Sequence, residues 1–438
     1  MAESIDLLID ARWLIPIEPA GVTLEHHTVA VNAGRIVAVL PSQQARQRFG
    51  PRRTVTLDSH VLLPGLVNLH THAAMALLRG YADDMELMAW LKERIWPAEM
   101  RLASAAFVRD GTLLAAAEML RGGITCCNDM YFFPEAAAQA CLRLGMRIAL
   151  GMIVIDFPSP YGTDADDYLR KGIATRDALR NEPLVSFCIA PHAPYTVSDR
   201  TLERIATMAL QLDVPVHIHL HETRDEVAQS LAQHGVRPLE RLRRIGLPGP
   251  NLIAVHGVHL NEQEIELLAE HACSIAHCPT SNMKLASGIA PIAQAMNAGI
   301  NIGLGTDGAA SNNRLDLFRE MRHAALLAKV ATGDARALDA HHVLRMATLN
   351  SAAALALDRE IGSIEPGKAA DLCAVDLSAV ELSPCFNPAS HLVYAAGREH
   401  VSHVWLQGEL RVAQGQLLQI SNTELLDIAR VWQNKLRI

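Results

Sequence analysis

The sequence predicts an α/β protein in which a (β/α)8 TIM-type barrel stands beside a small β-sandwich domain built from both chain ends. Three observations support this prediction. Short apolar runs alternate with helix-like stretches through the middle of the chain, β-like runs lie at both ends, and polar residues follow the apolar runs directly. The length of 438 residues suits one large barrel with one smaller domain.

The domain boundaries follow changes in the pattern of the chain. Residues 1–64 contain short β-like runs, among them HHTVAVNAGRIVAVLP, in which the letters NAG suit a hairpin turn. Residues 65–366 hold the alternating units of the barrel. The β-like pattern returns in residues 367–438, for example in AADLCAVDL, so we expect the two ends to form one small β domain.

The barrel prediction rests on the order of its apolar runs. The candidate strands include MRIALGMIVI, PLVSFCIAP, VPVHIHL, NLIAVHGVHL, CSIAHCP and INIGLGTDG. Helix-like stretches such as SDRTLERIATMALQL and NEQEIELLAEHA separate them. Parallel strands need crossover connections of this kind, and strands buried on both faces are almost continuously apolar.

Composition argues against several classes of protein. Half of the residues are hydrophobic and 20% are charged, so the chain can bury a core and disorder is not expected. A net charge of −8 argues against nucleic acid as a partner. Neither a signal peptide nor a run of 18 apolar residues is evident, so we expect a cytoplasmic protein without membrane association. The eight cysteines form no CxxC pair, which is typical of reduced thiols, and the sequence leaves homo-oligomerisation open.

Histidines and one aspartate lie at the C-terminal ends of the candidate strands. His70 and His72 end the run PGLVNLHTH with a spacing of two, which puts both side chains on one face of a strand. The residues that follow or end later strands are His192, His219, His256 and Asp307. In a barrel, this end of the strands builds the active site because side chains from several strands converge there.

These residue types are typical of a catalytic metal site. A neutral imidazole offers zinc a nitrogen at about 2.0–2.1 Å, and catalytic zinc sites combine a few protein ligands with a water molecule. Three histidines, two of them in one HxH pair, and one aspartate can supply such a shell. Any one of them alone is explained more simply as a hydrogen-bonded residue at a strand end. Iron or manganese suits a similar set of ligands.

Four segments carry a resemblance to a known family: LPGLVNLHTHAAMALLRGYADD, ERIWPAE, HCPTSNMKLASGIAP and GLGTDGAASNN. On these segments the sequence resembles the amidohydrolase superfamily and, within it, the 5-methylthioadenosine/S-adenosylhomocysteine deaminases. The resemblance covers nearly the whole chain. Guanine deaminases and chlorotriazine hydrolases are close relatives of this group, so they stay as alternatives. A catalytically silent scaffold of the same fold is the alternative outside enzymes.

The resemblance implies a role for each matching residue. His70, His72, His219 and Asp307 match the metal ligands, and Glu222 matches the carboxylate that shuttles protons. Many relatives hold two metal ions through a carboxylated lysine at the end of the fourth strand. The corresponding stretch here, LVSFCIAPHAPYT, contains no lysine. We therefore expect one zinc ion per subunit.

The resemblance also implies residues that meet the substrate. His256 matches the histidine that contacts the metal-bound water or the leaving group, and with Asp307 it would orient the nucleophile. His192 and Glu222 are expected to contact the substrate, and Glu99, in WPAE, matches an acceptor for the ribose hydroxyl groups. Three further histidines and two polar residues receive no secure role: His217, His221, His277, Ser311 and Asn312.

The implied reaction is the hydrolytic deamination of the adenine ring of 5'-methylthioadenosine by a zinc-bound hydroxide. Adenosine is expected as a second substrate, and S-adenosylhomocysteine is left open. Glu222 would carry the water proton to the ring nitrogen and then to the departing amino group, giving ammonia and the inosine analogue. The HxE and PCxxC pattern of cytidine-type zinc deaminases is absent from the sequence.

Met152 leads to an expectation about substrate preference. Members of the group that accept S-adenosylhomocysteine often carry an arginine near the end of the third strand, and RIALGMI aligns Met152 with it. An arginine would bind the amino-acid carboxylate of that substrate. Methionine offers an apolar surface that suits a methylthio group. We therefore expect methylthioadenosine to be preferred.

Overall fold

The structure is a computed structural model that describes residues 2–437. Its strands are β1 (Glu3–Leu14), β2 (Leu24–Asn32), β3 (Arg35–Pro41), β4 (Phe49–Pro64), β5 (Leu66–Thr71), β6 (Ile124–Tyr131), β7 (Arg147–Val154), β8 (Val185–Pro191), β9 (Val216–Leu220), β10 (Leu252–His256), β11 (Ser274–His277), β12 (Asn301–Leu304), β13 (Leu372–Asp376), β14 (Val401–Leu406), β15 (Glu409–Ala413) and β16 (Gln416–Leu417).

The helices alternate with these strands. They are α1 (Ser42–Arg48), α2 (Leu87–Trp90), α3 (Trp96–Leu102), α4 (Ala105–Arg121), α5 (Pro134–Leu144), α6 (Ala165–Leu179), α7 (Asp199–Leu212), α8 (Arg224–His234), α9 (Pro238–Ile245), α10 (Glu262–Glu270), α11 (Pro279–Lys284), α12 (Ile292–Asn297), α13 (Ala309–Asn312), α14 (Leu317–Thr332), α15 (Ala340–Met346), α16 (Leu349–Ala354), α17 (Pro388–Tyr394) and α18 (Asn422–Leu436). Within residues 2–437, no helix has the length and apolar character needed to cross a bilayer.

Strands β5 to β12 form a barrel of eight parallel strands that follow one another in chain order. Every residue of β6 and β7 is buried, as expected for strands covered on both faces. The backbone N–H of Asp307 donates to His70 O at 3.0 Å, and that of Thr306 donates to Asn68 Oδ1 at 2.9 Å. These bonds join the loop after β12 to β5, and the predicted barrel is confirmed.

The other eight strands form a second sheet that uses both chain ends, in the order β16-β15-β14-β13-β4-β1-β2-β3. Strands β1 and β4 are parallel, and the other paired neighbours are antiparallel. Ala370 N–H donates to Gly34 O at 2.9 Å, so the turn of the β2–β3 hairpin contacts the segment just before β13. The sheet packs around an apolar cluster that includes Leu62 and Trp405. The expected second β domain is confirmed.

The junction between the two sheets contains a buried ion pair. Arg147, the first residue of β7, donates from Nε to Asp371 Oδ2 at 2.5 Å, and Asp371 directly precedes β13. The side chains are 8% and 1% exposed. The boundaries at residues 64/65 and 366/367 stay a prediction, and they fall in the connections between the sheets.

We predict that Asp371→Ala lowers the free energy of unfolding by about 3–5 kcal/mol, because it leaves the Arg147 guanidinium buried without its carboxylate. Urea denaturation followed by circular dichroism measures the change. Arg336→Ala is the matched control, since it removes an ion pair with Asp334 whose side chains are 91% and 44% exposed. That control is expected to cost no more than about 1 kcal/mol. Equal losses in the two variants would contradict the prediction.

Candidate active site

The barrel brings the predicted metal ligands together at the C-terminal ends of its strands. His70 and His219 lie in β5 and β9, His256 ends β10, and His72 and Asp307 lie just beyond β5 and β12. Two groups each place one potential ligand atom per residue within 4.8 Å of one another. They are His70, His72 and His219, and His70, His256 and Asp307.

Backbone carbonyl groups fix the orientation of two imidazoles. Nδ1 of His72 donates to Met130 O at 2.6 Å, and Nδ1 of His219 donates to His192 O at 2.6 Å. Each ring therefore carries its proton on Nδ1, which leaves the lone pair of Nε2 for a cation. The carbonyl groups belong to the neighbouring strand β6 and to the segment after β8, so the barrel itself sets the orientation of both rings.

His70 has a different partner and one atom without any. Its Nδ1 lies 3.0 Å from Nε2 of His217, which is one layer deeper in the barrel. Its Nε2 is buried and has no hydrogen-bond partner among residues 2–437. Burial lowers the pKa of His70 to about 4 and that of His219 well below its usual value, so both rings are neutral. A neutral ring with a buried, unpaired nitrogen fits a metal ligand.

Asp307 offers one of its two carboxylate oxygens to this cluster. Oδ1 lies 3.3 Å from His70 Nε2 and 3.4 Å from His72 Nε2. Oδ2 accepts hydrogen bonds from Ser281 Oγ at 2.6 Å and Ser311 Oγ at 2.7 Å. Burial alone would raise the pKa of Asp307, but its close contacts with His70 and the neighbouring histidines hold this pKa well below its usual range. The donor set is therefore imidazole nitrogens and one carboxylate, which suits a divalent transition metal.

Glu222 lies where the chain turns between β9 and α8. His221, just before it, has a left-handed backbone with φ 55°, and the Glu222 N–H donates to Glu226 Oε2 at 2.7 Å. Oε2 of Glu222 lies 3.8 Å from Nε2 of His256. Burial raises the pKa of Glu222 to about 7. A carboxyl group with this pKa can both accept and release a proton near neutral pH.

A cavity of about 300 Å³ opens above these residues, and most of its wall is apolar. The predicted site residues that line it are His72, Glu99, His192, His219, Glu222, His256 and Asp307. Aromatic rings of Trp90, Trp96, Phe132 and Phe157 form much of the remaining wall. Among residues 2–437, no lysine or arginine lines the cavity.

Two of the lining residues are held by hydroxyl groups. The Tyr131 hydroxyl donates to Glu99 Oε1 at 2.7 Å, and Nδ1 of His192 lies 3.1 Å from Thr196 Oγ1. Burial raises the pKa of Glu99 to about 7, and burial lowers that of His192 to about 3. His192 is therefore a neutral imidazole, and Glu99 titrates near neutral pH.

Met152 does not line the cavity, so its predicted place beside the substrate is wrong. Its side chain is buried against Gly172 of α6, on the outer face of the barrel. Successive residues of a strand face opposite sides, and Ile153 is the residue of β7 that lines the cavity near this position. An alignment error of one residue in a strand reverses the face that the side chain occupies.

The histidines without an assigned role lie away from the cavity. His217 contacts His70, and His221 turns to Glu264, with 3.1 Å between Nε2 and Oε1. His277 is buried at the end of β11. Sequence reasoning missed the residues that hold the site residues in place, which are Tyr131, Thr196, Ser281 and Asn282. Their common signal is that they end barrel strands or follow them closely, as the metal-binding candidates do.

The model of the family described as "Amidohydrolase family" matches residues 61–411 of this chain. The chain belongs to the amidohydrolase family. It is 46% identical over 433 residues to a protein from Teredinibacter turnerae named 5-methylthioadenosine/S-adenosylhomocysteine deaminase, covering 99% of this chain and 98% of that one. It is 41% identical to a protein from Methanopyrus kandleri named 5'-deoxyadenosine deaminase, with 94% of each chain covered. A crystal structure of an adenosine deaminase from Xanthomonas campestris with bound zinc is 51% identical, covers 100% of both chains and superposes with a TM-score of 0.99.

We predict that His219→Ala loses bound metal, because it removes one of three imidazoles, with those of His70 and His72, whose potential ligand atoms lie within 4.8 Å of one another. Removing a residue that only hydrogen-bonds to a metal ligand typically lowers metal affinity or activity about 10–100-fold. Removing a ligand itself should lower the metal affinity by more than that. Zinc per folded chain is measured by inductively coupled plasma mass spectrometry. His221→Ala is the control, because it lies two residues along the chain but faces Glu264. A metal content in His219→Ala equal to that of the control would contradict the prediction.

We predict that Glu99→Gln stabilises the fold above neutral pH. The folded state raises the pKa of Glu99 from 4.5 to about 7, so it binds this proton more tightly than the unfolded chain. Stability is therefore lost as the pH rises through this range, by at most about 3 kcal/mol, and the glutamine variant escapes the loss. Thermal unfolding at pH 5 and pH 8 tests this. An advantage for the variant that is the same at both pH values would contradict it.

Proposed function

We propose that the protein is a zinc-dependent aminohydrolase that removes the 6-amino group of adenine nucleosides, of which 5'-methylthioadenosine is the preferred one. The observation that carries the proposal is the group of three imidazoles, two of them buried, and Asp307 beside Glu222, a carboxyl group whose pKa is raised to about 7. The end-to-end similarity to proteins named as adenine nucleoside deaminases supports the same reaction. The eight free cysteines fit a reducing compartment, and we propose the cytoplasm.

One zinc ion is held by His70, His72, His219 and Asp307 in this proposal. When bound, zinc supplies the acidification of a water molecule that makes hydrolysis fast near neutral pH. Side chains of the protein orient the reactants and transfer the protons. Asp307 and His256 orient the nucleophile, and Glu222, 3.8 Å from His256, carries a proton to the purine ring nitrogen and then to the departing amino group. Its pKa near 7 suits both steps.

The cavity supports the proposed preference among nucleosides. Glu99 is the proposed acceptor for the ribose hydroxyl groups, and His192 is the proposed contact to the base. The rest of the wall is apolar, which suits a methylthio or a deoxy group at the 5' position. The amino-acid part of S-adenosylhomocysteine would enter a cavity without a lysine or arginine in its described wall, so its carboxylate would lose hydration without gaining a cationic partner.

We predict that Glu222→Gln keeps its zinc and loses at least about 10²-fold in kcat, the scale of general acid and base catalysis. Glutamine keeps the size and hydrogen bonding of the side chain but cannot carry the proton. Ammonia release from methylthioadenosine measures kcat, and the zinc content of the same sample is the control. A variant that turns over at the wild-type rate would remove Glu222 from the mechanism.

We predict that kcat/KM falls in the order methylthioadenosine, adenosine, S-adenosylhomocysteine, because the 5' group meets an apolar wall without a cation. Ammonia release from the three nucleosides under identical conditions decides the order. Guanine is measured beside them and is expected to give no ammonia. A preference for S-adenosylhomocysteine would contradict the argument from the cavity wall, and ammonia from guanine alone would contradict the proposed function.

A further inference from the structure

Helix α11 supplies none of the proposed metal ligands, yet two adjacent residues in it hold two residues of the site. Asn282 Oδ1 accepts a hydrogen bond from Nδ1 of His256 at 2.8 Å. Ser281 Oγ donates to Oδ2 of Asp307 at 2.6 Å. Both α11 residues are buried, with exposures of 0% for Ser281 and 1% for Asn282. The helix after β11 therefore contacts the end of β10 and the loop after β12 at once.

The contact with Asn282 decides which nitrogen of His256 carries the proton. Nδ1 donates its proton to the amide oxygen, so Nε2, the atom that faces Glu222, is the nitrogen that can carry the lone pair. His256 has a left-handed backbone with φ 72°, a conformation that is uncommon for residues other than glycine. The hydrogen bond with the Asn282 side chain thus fixes the imidazole of His256 at a place where the backbone is already constrained.

The asparagine at this position carries a cost in stability of its own. Nδ2 of Asn282 is buried and has no hydrogen-bond partner among residues 2–437. A buried donor without a partner costs about 1–3 kcal/mol. An amide also differs from a carboxylate because it orients the ring without adding a negative charge beside Asp307 and Glu222.

The contact with Ser281 decides which oxygen of Asp307 faces the imidazoles. Ser281 and Ser311 both donate to Oδ2, so Oδ1 is the oxygen that lies 3.3 Å from His70 Nε2. Without these donors, the carboxylate would keep the bond from Gly308 N–H to Oδ1, at 2.7 Å, and the contacts of Oδ1 with His70 and His72, but no hydrogen bond within residues 2–437 would hold Oδ2. Ser281 therefore restricts Asp307 to one orientation.

We propose that Ser281 and Asn282 are positioning residues, which fix the orientation of Asp307 and the Nδ1-protonated form of His256 for the hydrolytic step. The proposal rests on the proposed deaminase function for its kinetic consequences only. The hydrogen bonds themselves can be tested without turnover.

The kinetic test compares Asn282→Ala, Asn282→Asp and Ser281→Ala with the control Ser287→Ala. Ser287 is also buried in the segment after β11, but its hydroxyl group has no hydrogen-bond partner among residues 2–437. With methylthioadenosine, Asn282→Ala and Ser281→Ala should lower kcat about 10–100-fold, the range for partners that orient a ligand, with KM and zinc content close to wild type. Asn282→Asp keeps the acceptor oxygen and should recover part of the lost kcat, since its carboxylate also adds a negative charge beside Asp307 and Glu222.

The second test observes the ring of His256 directly. In histidine-labelled, zinc-loaded protein, ¹H–¹⁵N spectra should show His256 with a protonated Nδ1 and a bare Nε2, assigned by the signal that His256→Gln loses. Asn282→Ala should lose this pattern, and Asn282→Asp should keep it. If Asn282→Ala does not fold, the wild type and Asn282→Asp carry the test.

Two results overturn the proposal. One is a wild-type His256 with its proton on Nε2, and the other is an Asn282→Ala variant with unchanged kcat and an unchanged spectrum. A wild type that releases no ammonia from any nucleoside would instead overturn the proposed function, while the spectra would still decide the role of Asn282.

Discussion

The hydrogen bond from Asp307 N–H to His70 O, at 3.0 Å, is the interaction on which the site depends. It joins the loop after the last barrel strand to the first strand, and both of its residues are proposed metal ligands. The left-handed backbone of Asp307, with φ 59°, turns its side chain back over β5 while its N–H stays on the strand. Closure of the barrel and assembly of the ligand set are therefore one event, and a barrel that failed to close would also separate its ligands.

The histidines of the site can pack closely because most of them are buried. Four imidazoles of this group have a pKa below the usual value, because a charged ring would lose its hydration and meet neighbouring rings. These four rings are neutral and can pack in contact, as His70 and His219 do with a centroid distance of 4.9 Å. The same burial acts on carboxyl groups in the opposite direction, and it brings Glu222 to the pKa that proton transfer needs. Burial thus lowers the pKa of these imidazoles and raises the pKa of the Glu222 carboxyl group.

The fold and the candidate ligands could be predicted from sequence because each has a local signal. The HxH pair ends an apolar run, and Asp307 follows another, so strand position alone places them at one end of a barrel. Met152 shows the limit of this reasoning, since an error of one residue moves a strand side chain to the other face. Contacts such as that of Asn282 with His256 join residues 26 apart in the chain. No periodicity indicates such a pair, because the fold of the barrel brings the end of β10 and helix α11 together.

The order of strands in the second sheet affects how the protein can be made. Strand β4 lies between β1 and β13, so its partner on one side comes from the last quarter of the chain. During translation β1 to β4 leave the ribosome early, and the edge of β4 stays open until the barrel has been synthesised and β13 follows. An open edge is a template for pairing with another chain. The nascent polypeptide therefore passes through a stage in which its N-terminal sheet is prone to association, and only the final strands remove that hazard.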